Sequence, residues 1–370
     1  MHYPEDVSEP ANAPCWNPDL TAWLTAAAAD AGFDASGIAP AESPLAAARF
    51  TDWIDQGRAG EMDWLKRRDE QGTLVRSSVR VAIPWARSVI VCAMNYNAPA
   101  PLSTDPAAPD QGWIARYAWR GSGGRPVDYH DDLLARLRLL ESALQAQAPC
   151  QTRCYVDTGP LVERTAAVQA GIGWIGKNTC VIRQGTGSWL LMGVIVTSLA
   201  LRDSAELVPD RCGSCTRCID ACPTDALVAP RQMDASLCIA YLTIEKKGTI
   251  PEQLREPMGR QVFGCDICQD VCPWNRKAPI AFKSGLETRH ELVNPALDWL
   301  ASLDSAAFRR LFKGSPLERT GKKRLHRNVA IAMGNSGEPC FAPQLELWAA
   351  AEDPVLAEAA SWALARLRSS

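Results

Sequence analysis

The sequence predicts an α+β protein in three parts: an N-terminal α/β domain (residues 1–202), a cysteine-rich segment (residues 203–282) and a C-terminal all-α part (residues 283–370). In the first part, short apolar runs of strand type alternate with amphipathic helical patterns. Eight of the fourteen cysteines lie in the second part. The third part has helical periodicity throughout. A length of 370 residues also exceeds one average domain.

The elements of the N-terminal domain are predicted from hydrophobic periodicity and from glycine and proline positions. Helices are expected at residues 20–31, 44–56 and 128–147, and strands at residues 88–94 and 153–156. A β-hairpin is expected from residues 180–183 and 189–197, which flank the turn sequence QGTG. The sequence GIGWIG at residues 171–176 follows a helix rather than a strand, so it is interpreted as a close-packing turn and not as a dinucleotide-binding loop.

The C-terminal part ends in two predicted helices, at residues 343–350 and 355–367, with Pro354 at the start of the second. A proline at the first helical position costs no hydrogen bond, because the backbone N–H at that position has no acceptor within the helix. Two antiparallel helices of this length resemble one HEAT-type unit, although one or two units fall short of a full solenoid.

Composition and charge exclude several classes of protein. The net charge of −3 and the pI near 5.9 do not indicate a global field for nucleic acid. No apolar run reaches the length of a bilayer crossing, and the polar N-terminal residues lack the pattern of a secretory signal. A cytoplasmic location without membrane attachment is therefore expected, and in that reducing compartment clustered cysteines indicate metal ligation rather than disulfides.

The eight clustered cysteines follow the ligand spacing of two-cluster bacterial ferredoxins. The first run is C-x2-C-x2-C-x3-C-P, and a second set, with one distant cysteine, ends in the same Cys-Pro pair. In this pattern the last cysteine of a run ligates the other cluster. We therefore assign one [4Fe–4S] cluster to Cys212, Cys215, Cys218 and Cys272, and the other to Cys222, Cys238, Cys265 and Cys268.

Two zinc sites are the alternative interpretation, because C-x2-C pairs also suit tetrahedral zinc. Three cysteines at this tight repeat, followed by proline and present twice, favour iron–sulfur clusters. The six other cysteines have no such spacing and are interpreted as small buried hydrophobic residues. Because all-cysteine clusters mostly transfer electrons, the large N-terminal domain is expected to hold the electron acceptor, either a cofactor or a substrate.

Several motifs together resemble the epoxyqueuosine reductase family. They are GEMDWL (60–65), VDTGPLVER (156–164), AGIGWIGKN (170–178), YLTIE (241–245), FGCDICQ (263–269) and VCPWN (271–275). The resemblance extends over nearly the whole chain, as far as the C-terminal helices. One departure is the glycine-rich loop at residues 120–127, which is longer than expected in the family.

The resemblance implies an enzyme that reduces epoxyqueuosine to queuosine at the wobble position of tRNA. It implies a cobalamin in the N-terminal domain, bound without a protein histidine ligand and reduced through the two clusters. By the same resemblance Asp157 is the general acid, and Arg67, Asp157, Lys177 and Asp266 lie near the cofactor. An acid acting near neutral pH needs a carboxyl whose pKa is raised by burial. The alternative is that Asp157 only organises the turn before Pro160.

The predicted partners are tRNA bearing epoxyqueuosine and an external electron donor of flavodoxin or ferredoxin type, and the chain is expected to be a monomer. A basic run between residues 309 and 327 is expected to contact tRNA phosphates, with Lys246, Lys247, Arg276 and Lys277 extending it. The run consists of Arg309, Arg310, Lys313, Arg319, Lys322, Lys323, Arg324 and Arg327, against the single acid Glu318.

Two other functions remain open from the sequence. One is a cytoplasmic cobalamin-dependent reductase or dehalogenase of a small molecule, and the other is an electron-transfer protein of ferredoxin type without a substrate of its own. The basic run counts against the first, since a small substrate does not need it. The size of the N-terminal domain counts against the second.

Overall fold

The computed structural model describes residues 18–42, 44–201, 206–281 and 285–369. Its strands are β1 (Ala35–Pro40), β2 (Ser88–Asn95), β3 (Trp113–Ile114), β4 (Arg120–Ser122), β5 (Arg125–Pro126), β6 (Thr152–Tyr155), β7 (Trp174–Ile175), β8 (Val181–Ile182), β9 (Leu190–Thr197), β10 (Gln261–Phe263) and β11 (Glu287–Thr288). Its helices are α1 (Pro18–Asp30), α2 (Pro44–Asp55), α3 (Val79–Ala82), α4 (Tyr129–Gln147), α5 (Glu163–Gln169), α6 (Arg217–Asp220), α7 (Ile239–Ile244), α8 (Glu252–Arg255), α9 (Ile267–Asp270), α10 (Leu297–Ala301), α11 (Ser305–Phe312), α12 (Gly321–Ser336), α13 (Ala342–Ala349) and α14 (Pro354–Ser369).

The N-terminal region is built on an antiparallel sheet with the strand order β1-β2-β9-β6. Every residue of β2 is buried, because successive side chains enter cores on opposite faces of the sheet. Ile90, Cys92 and Met94 pack against α1 and α4, whereas Val89 and Val91 pack against α5. The predicted helices at residues 20–31, 44–56 and 128–147 are confirmed to within a few residues, as are both predicted strands.

The predicted hairpin between residues 180–183 and 189–197 is wrong. The two segments do form strands, but β8 pairs with β7, and β9 pairs with β2 and β6. An eight-residue apolar strand buries more surface in the interior of the sheet, between β2 and β6, than it does beside a two-residue partner. The GIGWIG segment is a close-packing turn, as predicted: a Cβ atom at Gly173 would lie 2.1 Å from the carbonyl oxygen of Ile182.

The long glycine-rich loop forms a tight hairpin. Gly123 and Gly124, both with positive φ (54° and 73°), make the two-residue turn between β4 and β5. The hairpin is extended by β11, which pairs with β4. Two strand pairings cross the predicted boundaries of the three parts. The pairing of β11 with β4 joins the C-terminal part to the N-terminal domain, and the parallel pairing of β10 with β3 joins the cysteine-rich segment to the N-terminal domain.

The helices of the C-terminal part share one hydrophobic core with the preceding segments. Helix α14 packs against both α12 and α13. The same core contains Trp119 from the N-terminal part, Phe263 from the cysteine-rich segment and Leu325 from α12. Among the described residues, none of the helices combines the length and the apolar character that a bilayer crossing requires.

Candidate active site

A cavity of about 710 Å³ lies where the N-terminal region meets the cysteine-rich segment and the C-terminal helices. Its walls come from the loop after β6, the first turn of α4, the end of β10 and the turn at Pro316–Arg319. The lining residues include cations, aromatic rings and two carboxylates: Trp64, Arg67, Val75, Arg76, Ala82, Ile83, Tyr117, Tyr129, His130, Arg153, Tyr155, Asp157, Thr158, Gly159, Pro160, Ile244, Glu245, Phe263, Pro316 and Arg319.

Asp157 stands in the wall of this cavity in an unusual backbone conformation. Its φ of 56° lies in the left-handed region, which aspartate tolerates better than most residues do and which is common at functional sites. The Tyr129 hydroxyl donates a hydrogen bond to Asp157 Oδ2. The Asp157 side chain is 50% exposed, so the predicted burial of this carboxyl is wrong for the protein without ligands.

Tyr129 is suited to remain a hydrogen-bond donor. Burial, followed by the charge of Asp157, raises the pKa of Tyr129 well above its ordinary value. Its ring lies edge-on to Tyr117 at 5.6 Å, and the Tyr117 ring lies 6.0 Å from that of Phe263. These aromatic rings connect the Asp157 side of the cavity to β10, which ends two residues before Cys265.

His130 lies beside Asp157 and is fixed from both sides. Arg319 Nη1 donates to His130 Nε2 (2.9 Å), and because a guanidinium cannot accept, the imidazole proton must lie on Nδ1. His130 Nδ1 therefore donates to Asp128 Oδ1 (2.7 Å), and Nε2 lies 3.6 Å from Asp157 Oδ2. Burial acts to raise the pKa of Asp128, but the hydrogen bonds from His130 and the charge of Arg319 hold that pKa below its ordinary value.

Glu163, the first residue of α5, is a second acid close to Asp157. Its Oε1 atom is buried and has no hydrogen-bond partner among the described residues. Burial, with a further contribution from the charge of Asp157, raises the pKa of Glu163 to about 7. Glu163 therefore binds a proton in the folded protein at pH values where it would be ionised in the unfolded chain.

Replacing Glu163 by glutamine should make stability less sensitive to pH. Between the ordinary pKa of 4.5 and the raised value of about 7, the folded state binds more protons than the unfolded state, so this group loses stabilising effect as pH rises through that window. The variant's free energy of unfolding, relative to the parent, should rise by on the order of 1–3 kcal/mol from pH 4.5 to pH 8. Urea unfolding of the variant and the parent at a series of pH values measures this difference in the free energy of unfolding. Exposed Glu252, replaced in the same way, is the control and should leave the pH profile unchanged.

The cysteines of the first predicted cluster lie around a smaller cavity of about 280 Å³. Cys212, Cys215, Cys218 and Cys272 all line it, although Cys272 is 54 positions beyond Cys218 in the chain. Lys177 also lines this smaller cavity, and its ammonium donates to the Gly213 carbonyl (2.7 Å).

The cysteines of the second predicted cluster also lie near one another. Burial raises the pKa of the Cys265 thiol well above its ordinary value, and the nearby thiols of Cys238 and Cys222 raise it further. For Cys268, the hydrogen bond that its thiol donates to Cys180 and burial are the larger causes of a raised pKa, followed by the charges of Cys180, Cys265 and Cys238. The backbone around Cys265 is enclosed, since Phe263, Gly264 and Asp266 are buried.

Comparison with known proteins assigns the chain. A family profile described as a 4Fe-4S double cluster binding domain matches residues 211–275, which contain all eight clustered cysteines. A second, described as epoxyqueuosine reductase QueG, DUF1730, matches residues 76–158. An epoxyqueuosine reductase of Xanthomonas campestris pv. campestris is 37% identical over 352 residues, covering 94% of this chain and 96% of that relative. The chain belongs to the epoxyqueuosine reductase family.

Solved structures of epoxyqueuosine reductases have the same fold. A crystal structure of one with an epoxyqueuosine-modified tRNA-Tyr stem loop has a TM-score of 0.83 at 30% identity, covering 94% of this chain and 90% of that chain. A structure from Bacillus subtilis, in which an aspartate catalytic loop is swung out of the active site, has a TM-score of 0.80 at 29% identity with the same coverage. The chain is thus an oxidoreductase with a double [4Fe–4S] cluster domain, and this excludes the zinc interpretation.

The residues that the family resemblance implied near the cofactor fall in different places. Arg67 and Asp157 line the large cavity. Lys177 lies instead at the smaller cavity of the first cluster. Asp266 is buried between cluster cysteines, where its Oδ2 accepts a hydrogen bond from the Arg116 amide (2.6 Å). Burial, followed by the charge of Asp270, raises the pKa of Asp266.

The basic run expected to bind tRNA does not form one solvated face. Arg327 is only 1% exposed and donates to the carbonyl oxygens of Leu242, Lys246 and Gly248. Arg324 donates to the carbonyl oxygen of Ile244, and Arg319 reaches His130 and Asp128. The interpretation as a free phosphate contact is wrong for Arg327, which is buried, and Arg324 also satisfies internal acceptors. For Arg319, whose side chain is 50% exposed, it stays a prediction. The exposed members are Arg309, Arg310, Lys313, Arg319 and Lys323.

Sequence reasoning missed Tyr129, His130 and Arg319 as residues of the active site. The sequence DYHDD at residues 128–132 does not fit a cobalamin-ligand motif. A different signal was present: Asp128 caps α4, accepting from the His130 amide (3.0 Å), and a cap followed by tyrosine and histidine places both rings at one helix end. No sequence signal connected Arg319 to this site.

Proposed function

We propose that this chain reduces epoxyqueuosine to queuosine in tRNA, with electrons passing through two [4Fe–4S] clusters to a cobalamin in the large cavity. The observation that carries the proposal is that Asp157 lines the same cavity as Phe263 of β10, which leads directly to the cluster ligand Cys265. Converting an epoxide to an alkene and water takes two electrons and two protons. The cavity therefore needs an electron route on one side and a proton donor on the other.

The lining of the cavity fits cobalamin. Val75, Ile83 and Tyr155 offer apolar surface to a flat macrocycle, and Arg67 and Arg76 offer donors to its amide and phosphate groups. No histidine of the lining is free to ligate cobalt, because Nε2 of His130 already accepts from Arg319. Cobalamin, when bound, supplies low-potential reducing equivalents to the epoxide.

Asp157 supplies the proton that makes oxygen a leaving group. Its Oδ2 atom is held by Tyr129, whereas its Oδ1 atom makes no hydrogen bond with any described residue and is available to carry the proton. After transfer, the carboxylate is stabilised by the hydrogen bond from the Tyr129 hydroxyl. Arg76 holds the loop in place by donating to the Asp157 carbonyl (3.5 Å) and to that of Leu161 (3.3 Å). Substrate entering the cavity would cover the half-exposed carboxyl.

The tRNA would approach from the side of the exposed basic residues Arg309, Arg310, Lys313 and Lys323. Trp64, 45% exposed at the cavity, offers a ring on which a splayed anticodon base can stack. The proposal keeps the three-part division at residues 1–202, 203–282 and 283–370, with a cobalamin-binding first part and HEAT-like C-terminal helices. The proposed enzyme is a cytoplasmic monomer that receives its electrons from an external electron donor.

The test is anaerobic conversion of tRNA that carries epoxyqueuosine. The reconstituted chain, supplied with cobalamin and reduced methyl viologen, should remove one oxygen atom from the modified base, as measured by mass spectrometry of nucleosides. Binding of that tRNA should weaken steeply with rising salt, because phosphate contacts release counterions. Conversion without cobalamin, or salt-independent tRNA binding, would contradict the proposal. If the chain reduced a small epoxide but did not convert the modified tRNA, the function as a small-molecule reductase would be favoured.

A further inference from the structure

The two cluster sites lie at different depths in the protein. The loop that carries Cys212 and Cys215 is at the surface, with Gly213, Ser214 and Thr216 exposed. The segment that carries Cys265 is enclosed and leads to Phe263 in the wall of the large cavity. The order from solvent inwards is thus the first cluster, the second cluster and the cavity. Because electron transfer slows steeply with distance, electrons must enter beside the first cluster.

The surface beside the first cluster is basic, against the negative net charge of the whole chain. Arg211, Arg217, Arg276 and Lys277 are exposed, and none of the four forms an ion pair with another residue of the described ranges. The neighbouring acid Asp210 is paired with Arg231. Unpaired surface cations of this kind raise the rate at which an acidic partner docks.

A shallow groove of about 510 Å³ runs between the two short helices that carry cluster ligands. Arg217 of α6 and Arg276 line it together with the apolar side chains of Leu102, Ala221 and Val271. Its two carboxylates are already bonded: Asp220 accepts from the Thr216 hydroxyl (2.8 Å), and Asp270 accepts from the Ser103 amide (2.8 Å) and hydroxyl (2.5 Å). Ala221 and Val271 directly precede the ligands Cys222 and Cys272, so a partner in this groove lies against the backbone of both cluster loops.

We infer that this groove, with Arg211 and Lys277 at its margins, is the docking surface for a small acidic electron-carrier protein. The inference rests on the proposed function and names the partner of its electron route. At each encounter the carrier's reduced centre loses one electron and the first cluster gains it. Two encounters provide the electron pair that, with two protons, converts the epoxide to an alkene and water. Charge complementarity over a small area is typical of such transient redox encounters. Arg276 and Lys277 are therefore reassigned from the tRNA surface to this one.

The test is the rate at which reduced flavodoxin, the probe carrier, reduces the clusters of the full chain, followed anaerobically by stopped-flow absorbance. Arg217→Glu combined with Arg276→Glu should lower the second-order rate constant at least about tenfold at low salt, and the difference should disappear near 1 M salt. The matched control, Arg138→Glu with Arg368→Glu, changes net charge equally at exposed positions elsewhere and should not slow reduction. Reduced methyl viologen, a small cation, should reduce the clusters of both double variants at least as fast as those of the parent.

An unchanged rate with flavodoxin, or an equal loss in the control pair, overturns the inference. So does a double variant that keeps its rate with flavodoxin but loses tRNA binding, since the groove would then belong to the RNA surface. The measurement needs neither tRNA nor cobalamin. It therefore remains decisive even if the chain does not reduce epoxyqueuosine, and failure of the proposed function can be told apart from failure of this inference.

Discussion

Asp157→Asn should lower kcat for epoxyqueuosine reduction by about 10²–10⁴-fold, the usual contribution of a positioned proton donor. Asparagine keeps the size of the side chain, and it tolerates the left-handed backbone at this position, where φ is 56°. It also still accepts from the Tyr129 hydroxyl, but it carries no acidic proton for the epoxide oxygen. The measurement is single-turnover conversion under anaerobic conditions, with iron content and cobalamin binding determined on the same sample.

Asp225→Asn is the matched control, because Asp225 also has a positive φ (53°) and is exposed outside the large cavity. It should retain the parental rate. A parental rate in the Asp157 variant would show that Asp157 only organises its turn, and the proton source would have to be sought at His130 or Tyr129. A loss of cofactor binding in that variant would instead assign Asp157 to cobalamin binding.

Cys272→Ala should remove one cluster and abolish electron supply to the cavity. The thiol of Cys272 lines the small cavity with Cys212, Cys215 and Cys218, whereas its sequence neighbour Cys268 is assigned to the other cluster. Iron should fall from about eight atoms per chain to about four, because the cluster that loses a ligand is not retained. Turnover with reduced flavodoxin should fall to background.

Cys340→Ala is the control, since Cys340 is exposed and outside both ligand sets. It should keep about eight iron atoms. The identity of the lost cluster is tested by combining Cys272→Ala with Cys212→Ala. If both residues hold the same cluster, the double variant should keep about four iron atoms, as each single variant does. Loss of nearly all iron in the double variant would mean that the two cysteines hold different clusters, and the crossed assignment would be wrong.

Local sequence patterns were sufficient to predict the elements and motifs whose signal lies within one segment of the chain. The leucines of α4 are buried at the predicted spacing, and the strands β2 and β6 lie where apolar runs predicted them. The motif around Asp157 could be found from its turn sequence and its resemblance to a family. The predicted acid burial failed because exposure depends on what fills the cavity, and a chain sequence does not contain that information.

Strand pairing and side-chain contacts between distant segments could not be predicted from local patterns. Strands β8 and β9 each have the composition of a hairpin strand, but β9 gains more buried surface between β2 and β6. Arg319 and Arg327 have the same sequence environment, a basic run with one acid, yet one faces the active site and the other is buried against carbonyl oxygens. Backbone acceptors brought in from α7 and the loop after it decide this difference.

The sequence by itself determined the chemistry of the electron route, because the spacing of cluster cysteines is a local constraint: thiolates on one tight loop must reach neighbouring corners of one cluster. The tertiary structure alone decided the proton side of the site. Asp128, Tyr129 and His130 become relevant to Asp157, and Arg319 to His130, only when the start of α4, the loop after β6 and the turn before α12 pack together. Hydrogen bonds across 28 and 189 positions depend on the packing of whole elements, which no local spacing encodes.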